Sequence, residues 1–402
     1  MTKKIVIAGS GFAGMWSAIS AARAVSLAGK DNDVEITIVS PTPNLHIRPR
    51  FYETVFEEMA PNIAPLLAAV GVRHLAGTVE TVHALQHEVV VMQNGGERIT
   101  LPYDRFVLAT GSGLFLPDIP GLKAHSFNVD QLANARKLEA HLRSLANKPE
   151  TVARNTVVVA GGGFTGIETV AEMPRRLREI FGHNAKIRVV VLEQAPDIGP
   201  DLGPIPRPVI EEALAECGVE IKVSAGVAAI DAEGVTTSTG ERVASNTVVW
   251  TAGARANPLA AQINGDHDRF GRVHADQYLR AKREKDVFVT GDVAMVATDD
   301  KGHVASMSCQ HALSLGRVSG HNAAAELVGL ATHPYSQPKY VTCLDLGAWG
   351  AIYTEGWDRQ VKMRREEAKA TKRAINTQWI YPPAPDRTAA FAVANPDYII
   401  VP

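Results

Sequence analysis

Two stretches of the chain, KKIVIAGSGFAGMWSAISAA at 3–22 and NTVVVAGGGFTGIETVAEM at 155–173, share one layout about 150 residues apart. Each opens with a short run of β-branched or apolar residues, which reads as a strand buried on both faces, and then turns through glycines into a helical pattern. A second apolar strand follows each helix, Val34–Val39 in the first copy and Ile187–Leu192 in the second. Strand, glycine turn, helix and parallel strand make a βαβ unit, with helices covering the sheet faces. A chain built on two such units is expected to be α/β, with two Rossmann-like dinucleotide-binding domains.

Between the copies, Tyr103–Gly111 reads as another buried strand ending in small residues, and Pro117, Pro120 and Gly121 after it read as a domain crossing. Thr247–Gly253 closes the second unit and Asp286–Asp292 returns to the first, so the second domain is expected to be inserted into the first. The boundaries follow as 1–115 and 256–330 for the first domain, 116–255 for the second, and 331–402 for a C-terminal interface and acceptor-side segment ending in an irregular, proline-rich tail from Pro382. A length of 402 residues is enough for two to three domains with cores of their own.

Several function classes drop out. Basic and acidic side chains number 41 and 43, so there is no basic excess to neutralise the phosphates of a nucleic acid. Cys217, Cys309 and Cys343 are too few and too scattered for a disulfide framework or a zinc site, and no metal is expected. No apolar run reaches 18 residues, and Ile5–Ala8 is too short for a signal peptide, so a cytoplasmic protein without a transmembrane segment is expected.

Gly9-x-Gly11-x-x-Gly14, with Phe12 and Ala13 inside it, follows a strand and opens a helix, the context in which backbone N–H groups cradle a pyrophosphate. Gly161-x-Gly163-x-x-Gly166, with Phe164 and Thr165, repeats it. A carboxylate at the end of the second strand binds the ribose of NAD, and the second unit has Glu193 there, followed by Gln194 rather than a base, which favours NADH over NADPH. The plainer reading of Glu193 is a solvated strand-end carboxylate. The first unit has Ser40 in that place, able to hydrogen-bond a ribose without the acidic signature. Gly291-Asp292 puts a carboxylate at a strand C-terminus, suited to a ribityl or pyrophosphate group or to capping the next helix. Glu168 and Glu172, four residues apart, share one helix face, where a first-turn glutamate also suits the helix dipole. Pro174 is expected to kink or end that helix, and the run Arg175-Arg176-x-Arg178 to be a solvated face.

The succession GSGFAG, ATG, GGGFTGIE, TAG, VFVTGD and LDLGAWGAIYTEGWDR resembles the two-dinucleotide-binding flavoprotein superfamily. Within it the chain is similar to type II NADH dehydrogenases, the non-pumping NADH:quinone oxidoreductases, from Ile5 to Val361. The resemblance implies FAD on the Gly9, Gly11, Gly14 loop, on Ala109-Thr110-Gly111 and on Gly291-Asp292, and NADH on the Gly161, Gly163, Gly166 loop, Glu193 and the Gly253 turn. It implies a catalytic role for Glu168 beside the flavin and for Gln310 on the acceptor side. Hydride transfer between nicotinamide and flavin needs positioning and water exclusion rather than a side-chain nucleophile.

The chain departs from the family at several points. No Cys-x-x-x-x-Cys occurs, which excludes a disulfide reductase of the glutathione or lipoamide type. The cysteine partner that sulfide:quinone reductases need in the second glycine loop is replaced by Phe164 and Thr165, so Cys343 reads as a small buried apolar residue. Ser314-Leu315 stands where type II enzymes carry a glutamine pair. His311 reads as a helix-surface histidine or as a proton donor to a reduced acceptor. Residues 358–375 read as a solvated basic helix rather than an amphipathic membrane anchor. Trp357, Trp379 and Tyr381 leave open a peripheral contact with the inner face of a membrane, a cover over the flavin, or a homodimer interface. The expected activity is therefore transfer of two electrons from NADH through FAD to a quinone or quinone-like acceptor. The alternatives are a soluble acceptor, such as a small redox protein or a nitro or azo aromatic, and an NADH-sensing flavoprotein with little turnover.

Overall fold

The strands Lys3–Ala8 and Thr156–Ala160, apolar from Ile5 and Val157 onward, each lie mid-sheet and are covered on both faces, one by helices and the other by antiparallel strands. The computed structural model describes residues 2–400; Met1, Val401 and Pro402, the ends of the expected first domain and C-terminal segment, lie outside them. Lys3–Ala8 pairs in parallel with Val34–Ser40 on one side and Arg105–Leu108 on the other, with Val6 opposite Thr37 and Phe106. Glu284–Val289 returns to the far side of Arg105–Leu108, and Arg73–His83, Glu88–Gln93 and Arg98–Pro102 extend the other edge, giving eight strands with Arg280–Ala281. Thr156–Ala160 is the counterpart in a five-stranded parallel sheet, between Arg188–Leu192 and Thr247–Trp250, with Val158 opposite Val190 and Val248. The fold is α/β, with two Rossmann-like units and the second threaded between strands of the first.

Two helices cover one face of the larger sheet: the first loop helix, Phe12–Leu27, and the return helix, Cys309–Val328. They approach closely because Gly316 and Gly320 present no side chain: a Cβ on Gly316 would lie 2.5 Å from the Ala13 carbonyl oxygen, and one on Gly320 2.0 Å from that of Ser17. The Ser17 hydroxyl, bonded to the Ala13 carbonyl of its own helix at 2.8 Å, also reaches the Gly316 carbonyl across the seam at 3.2 Å.

The segment 44–63, between strands Val34–Ser40 and Arg73–His83, bridges the two units: Leu45, Ile47 and Ile63 lie in the core of the first. Phe51 and Met59, both fully buried, lie in the core that holds Val157, Val159, Ile167 and Leu177 of the second unit. Arg176 Nη1 donates to the Tyr52 carbonyl at 3.3 Å, and Tyr381 donates to the Glu58 carbonyl at 2.6 Å, so this strap is pinned from both sides.

The structure corrects four expectations. The second loop helix, Phe164–Phe181, runs through Pro174 without ending. Arg176 in its basic run is buried and paired with Glu139 at 2.6 Å, so only Arg175 and Arg178 form a solvated face. Residues 358–375 are not one solvated helix: Gln360–Arg364 is the edge of an antiparallel sheet with Ala351–Glu355 and Val341–Asp345, and the helix begins only at Arg365, whose φ of +58° turns the chain. That clasp helix, Arg365–Ala374, buries Ala368 and Lys372. The tail after Pro382 contains a short helix, Arg387–Ala392, capped by Asp386, and the buried Arg317 on the return helix holds it by donating to the Val393 carbonyl at 2.7 Å. Among the described residues no helix is long and apolar enough to cross a membrane.

Candidate active site

The two glycine loops have one geometry. Gly9 and Gly161 take φ of +105° and +111°, a region closed to most side chains, and lie so close to the next small-residue turn that a Cβ would meet the Ala109 carbonyl oxygen at 2.5 Å or the Ala252 nitrogen at 2.8 Å. A Cβ on Gly14 or Gly166 would stand 1.8 Å from the carbonyl oxygen of Gly9 or Gly161. On Gly11 and Gly163 it would meet nothing within 4 Å, so these two face open space. Phe12 and Phe164 begin the helices with no side-chain cap and no acidic residue in the first turn, so the first N–H groups and the positive helix ends stay available to an anion. Ala13 lies against Gly291, and Thr165 is exposed at its helix start. Both loops fit a dinucleotide pyrophosphate.

Glu193 is not a solvated carboxylate. It is almost fully buried, its Oε2 accepts from Gly162 N and its Oε1 from Ala195 N, both at 2.7 Å, so it is fixed against the second glycine loop. Thr251 ties the closing strand to that loop through the Ala160 and Gly161 carbonyls, and Gly253, at φ +79°, turns the chain against Phe115. Ser40 is buried at the end of its strand, its hydroxyl bonded to the Thr42 carbonyl at 2.7 Å and to His74 Nε2 at 3.0 Å.

Around the first loop, Ala109-Thr110-Gly111 crosses behind Gly9, and the buried Thr110 hydroxyl has no hydrogen-bond partner among the described residues. Asp292, after Gly291 at φ +68°, accepts from the Ser112 hydroxyl at 2.6 Å, and burial pushes its carboxyl above the usual range. It caps no helix, since Ser308 caps the return helix. Arg48, from the strap, lies 3.9 Å from Asp292, donates to the Ser112 carbonyl at 3.0 Å and pairs with Asp130.

Glu168 is buried on the second loop helix and pairs with Lys372 Nζ of the clasp helix at 2.7 Å. Lys372 also donates to the Cys343 carbonyl at 3.0 Å and lies over the Phe164 ring at 5.5 Å. Asp345 donates its N–H to Glu168 Oε1 at 3.1 Å, while its carboxylate accepts from Lys369 at 2.5 Å and from the Tyr52 hydroxyl at 3.0 Å. Lys369 stands 3.6 Å from Glu172, which Arg175 holds at 2.8 Å. Burial pushes the Glu168 carboxyl up to about 7 against the opposing pull of Lys372, while the carboxylates hold the Lys372 ammonium above its usual range. This cluster joins the strap, the second unit and the C-terminal segment, and it can hold or release a proton at Glu168 near neutral pH.

Gln310, in the first turn of the return helix, approaches Val341 N with its Oε1 at 3.5 Å. Its neighbour His311 is a correction to both sequence readings: it is fully buried, bonded through Nδ1 to Ser308 at 2.9 Å and stacked on Tyr340, and burial lowers it to about 4, so it stays neutral. Leu315 lies in the sheet core, so of the substituted pair only Ser314 is half-exposed. Cys343 is buried, as expected, and Cys309 has its thiol pushed up to about 11 by burial. Sequence reasoning missed Tyr52, Asp345, Lys369, Lys372 and Arg48. Spacing carried no signal for them, because each reaches the site from a remote segment.

Residues 3–316 match the family model described as pyridine nucleotide-disulphide oxidoreductase. An NADH dehydrogenase-like protein of Mycobacterium tuberculosis is 43% identical over 383 residues, 94% of each chain. A type II NADH:quinone oxidoreductase of the same organism is 30% identical over 327 residues, covering 73% of this chain and 67% of the relative. NDH2 from Plasmodium falciparum, solved in complex with NADH, aligns over 100% of both chains with a TM-score of 0.77 at 12% identity, a likeness of fold.

Proposed function

The chain belongs to the pyridine nucleotide-disulphide oxidoreductase family, in its NADH dehydrogenase-like, type II branch, and on that premise we propose that it takes hydride from NADH onto FAD and passes two electrons to a quinone or quinone-like aromatic acceptor. The observation that carries this reading is the buried Glu168–Lys372 pair, set where the helix of the second glycine loop meets the C-terminal segment. Bound FAD would supply the redox chemistry, accepting a hydride and releasing its electrons singly or in pairs.

The protein's own residues do the rest. The Gly9, Gly11, Gly14 loop, the Thr110 hydroxyl and Asp292 hold FAD; the Gly161, Gly163, Gly166 loop and Glu193 hold and orient NADH. Reduction of a quinone needs one proton beyond the hydride, and Glu168 is suited to hold it at a carboxyl oxygen, with Lys372 Nζ as the fixed counter-charge. Tyr52, Phe164 and the clasp helix exclude water around that pair. Gln310 serves the acceptor side. The division into an FAD domain (1–115 and 256–330), an NADH domain (116–255) and an acceptor-side segment (331–402) is part of the same proposal.

One observation favours a soluble acceptor instead: the exposed face of the clasp helix carries Glu366, Glu367 and Arg373 and no bulky apolar side chain. A quinone acceptor implies peripheral contact with the inner face of a membrane, and a soluble one implies a cytoplasmic enzyme. Anaerobic titration with NADH, followed in the visible spectrum and then by addition of a soluble ubiquinone analogue, separates the readings. Bleaching by one equivalent and rapid reoxidation by the quinone is the expected result. Bleaching without reoxidation turns the search to soluble acceptors, and a colourless protein overturns the assignment.

A further inference from the structure

On the outer side of the second unit lies an open surface pocket of about 400 Å³. It is bounded by the C-terminal half of the helix Phe164–Phe181, the end of the helix Arg207–Cys217 and the turn Gly347–Trp349. Pro174 and Trp349 give it an apolar floor; Arg175, Arg178, His183 and Arg365 stand around it. Its two carboxylates are already engaged, Glu179 by Arg175 at 2.5 Å and Glu216 by Arg365 at 2.7 Å. Arg178 and His183 are exposed and have no carboxylate partner among the described residues. Two unpaired donors over an apolar floor fit the carboxylate and hydrocarbon body of a small organic acid.

The pocket is wired to the buried cluster through one side chain. Arg175 Nη1 reaches Glu179 at the rim, while its Nε and Nη2 hold Glu172 inside at 3.1 and 2.8 Å. Lys369 stands 3.6 Å from Glu172 and 2.5 Å from Asp345, which in turn bonds Glu168. An anion in the pocket competes with both glutamates for the Arg175 guanidinium. Glu172, loosened from it, draws Lys369 away from Asp345 and leaves the surroundings of Glu168 more negative. We propose that this pocket is a regulatory site for a small organic carboxylate, sensed at the Glu168–Lys372 pair through Arg175, Glu172 and Lys369. The regulatory half rests on the NADH reading; the binding half does not. The added negative charge favours the cationic nicotinamide ring of NAD+ over the uncharged dihydronicotinamide of NADH.

The test is calorimetric titration of the full chain with malonate, benzoate and inorganic phosphate as separate probes, on the unchanged protein and on Arg178→Gln and Arg178→Ala/His183→Ala variants. Neither position belongs to the proposed catalytic machinery, and thermal melts confirm folding, with Arg178→Gln as the milder change if the double variant melts early. The proposal expects the carboxylates to bind more tightly than phosphate, to lose about tenfold in affinity in the variants, and to raise the ratio of NAD+ to NADH affinity about fivefold. By reciprocity, NAD+ must then tighten the carboxylate relative to NADH by the same factor. No binding by either carboxylate, binding that both variants retain, or binding that leaves the nucleotide ratio unmoved overturns it. Failure of the NADH reading is distinct, since it appears as no bleaching by NADH with or without a probe.

Discussion

A lysine ammonium drawn out of water needs hydrogen-bond acceptors around it, and Lys372 has Glu168 at 2.7 Å and the Cys343 carbonyl at 3.0 Å. The two are not equally committed to being charged. Lys372 is held protonated, whereas burial raises Glu168 to about 7, so its carboxyl remains protonated in the folded state at pH values where it has ionised in the unfolded chain. A raised carboxyl contributes stability that is lost as pH rises from the ordinary glutamate value through about 7. Replacing Lys372 with methionine removes the charge that opposes this rise, so the cost should be about 3–5 kcal/mol at pH 8 and clearly less at pH 5, where Glu168 is neutral and needs no partner. Urea unfolding of Lys372→Met at the two pH values checks it; an equal loss at both would show that Glu168 does not titrate in this range. The glycine loops and the positions of Glu193 and Asp292 were legible in the sequence because their chemistry is local, set by neighbours a few residues away. Lys372, Tyr52 and Asp345 were not, because tertiary folding alone brings them to Glu168.

At the scale of elements, the seam between the first loop helix and the return helix fixes the backbone around Gly9 and Gly291 by small residues rather than by large ones. A Cβ on Gly320 would stand 2.0 Å from the Ser17 carbonyl oxygen, a backbone atom that cannot swing aside, whereas one on Gly95 would meet nothing within 4 Å. Gly320→Ala should therefore destabilise the protein by about 1–3 kcal/mol and reduce the flavin retained on purification, while Gly95→Ala should be close to neutral. Denaturation midpoints and the visible spectrum of the two variants decide it; equal behaviour would mean that the helices part without consequence. The two loop helices were legible from the glycine turns that open them, and so were the parallel strands beside them. The clasp helix was read as solvated because its residues are mostly charged, and composition does not reveal that Lys369 and Lys372, one turn apart, face inward onto carboxylates.

For the whole molecule, the strap 44–63 is decisive, because it carries Phe51 and Met59 of one unit into the core of the other. Neither unit can open without disturbing its neighbour, so the two should unfold as one. Native-state hydrogen exchange should give the same opening free energy for Ile5–Ala8 and Val157–Ala160, and Phe51→Ala should lower both by about 3–5 kcal/mol. Two separate opening energies would contradict this. The insertion of one unit in the other was visible in the order of the strands, but the strap's allegiance was not, since its apolar residues bear no mark of which core they enter. The strap also limits how such chains can be recombined. Dinucleotide-binding units look like interchangeable modules, yet a nicotinamide unit grafted here from a relative would arrive without the two side chains that complete its interior. A working chimera would have to exchange Phe51 and Met59 together with the insert, although they lie outside it in the sequence.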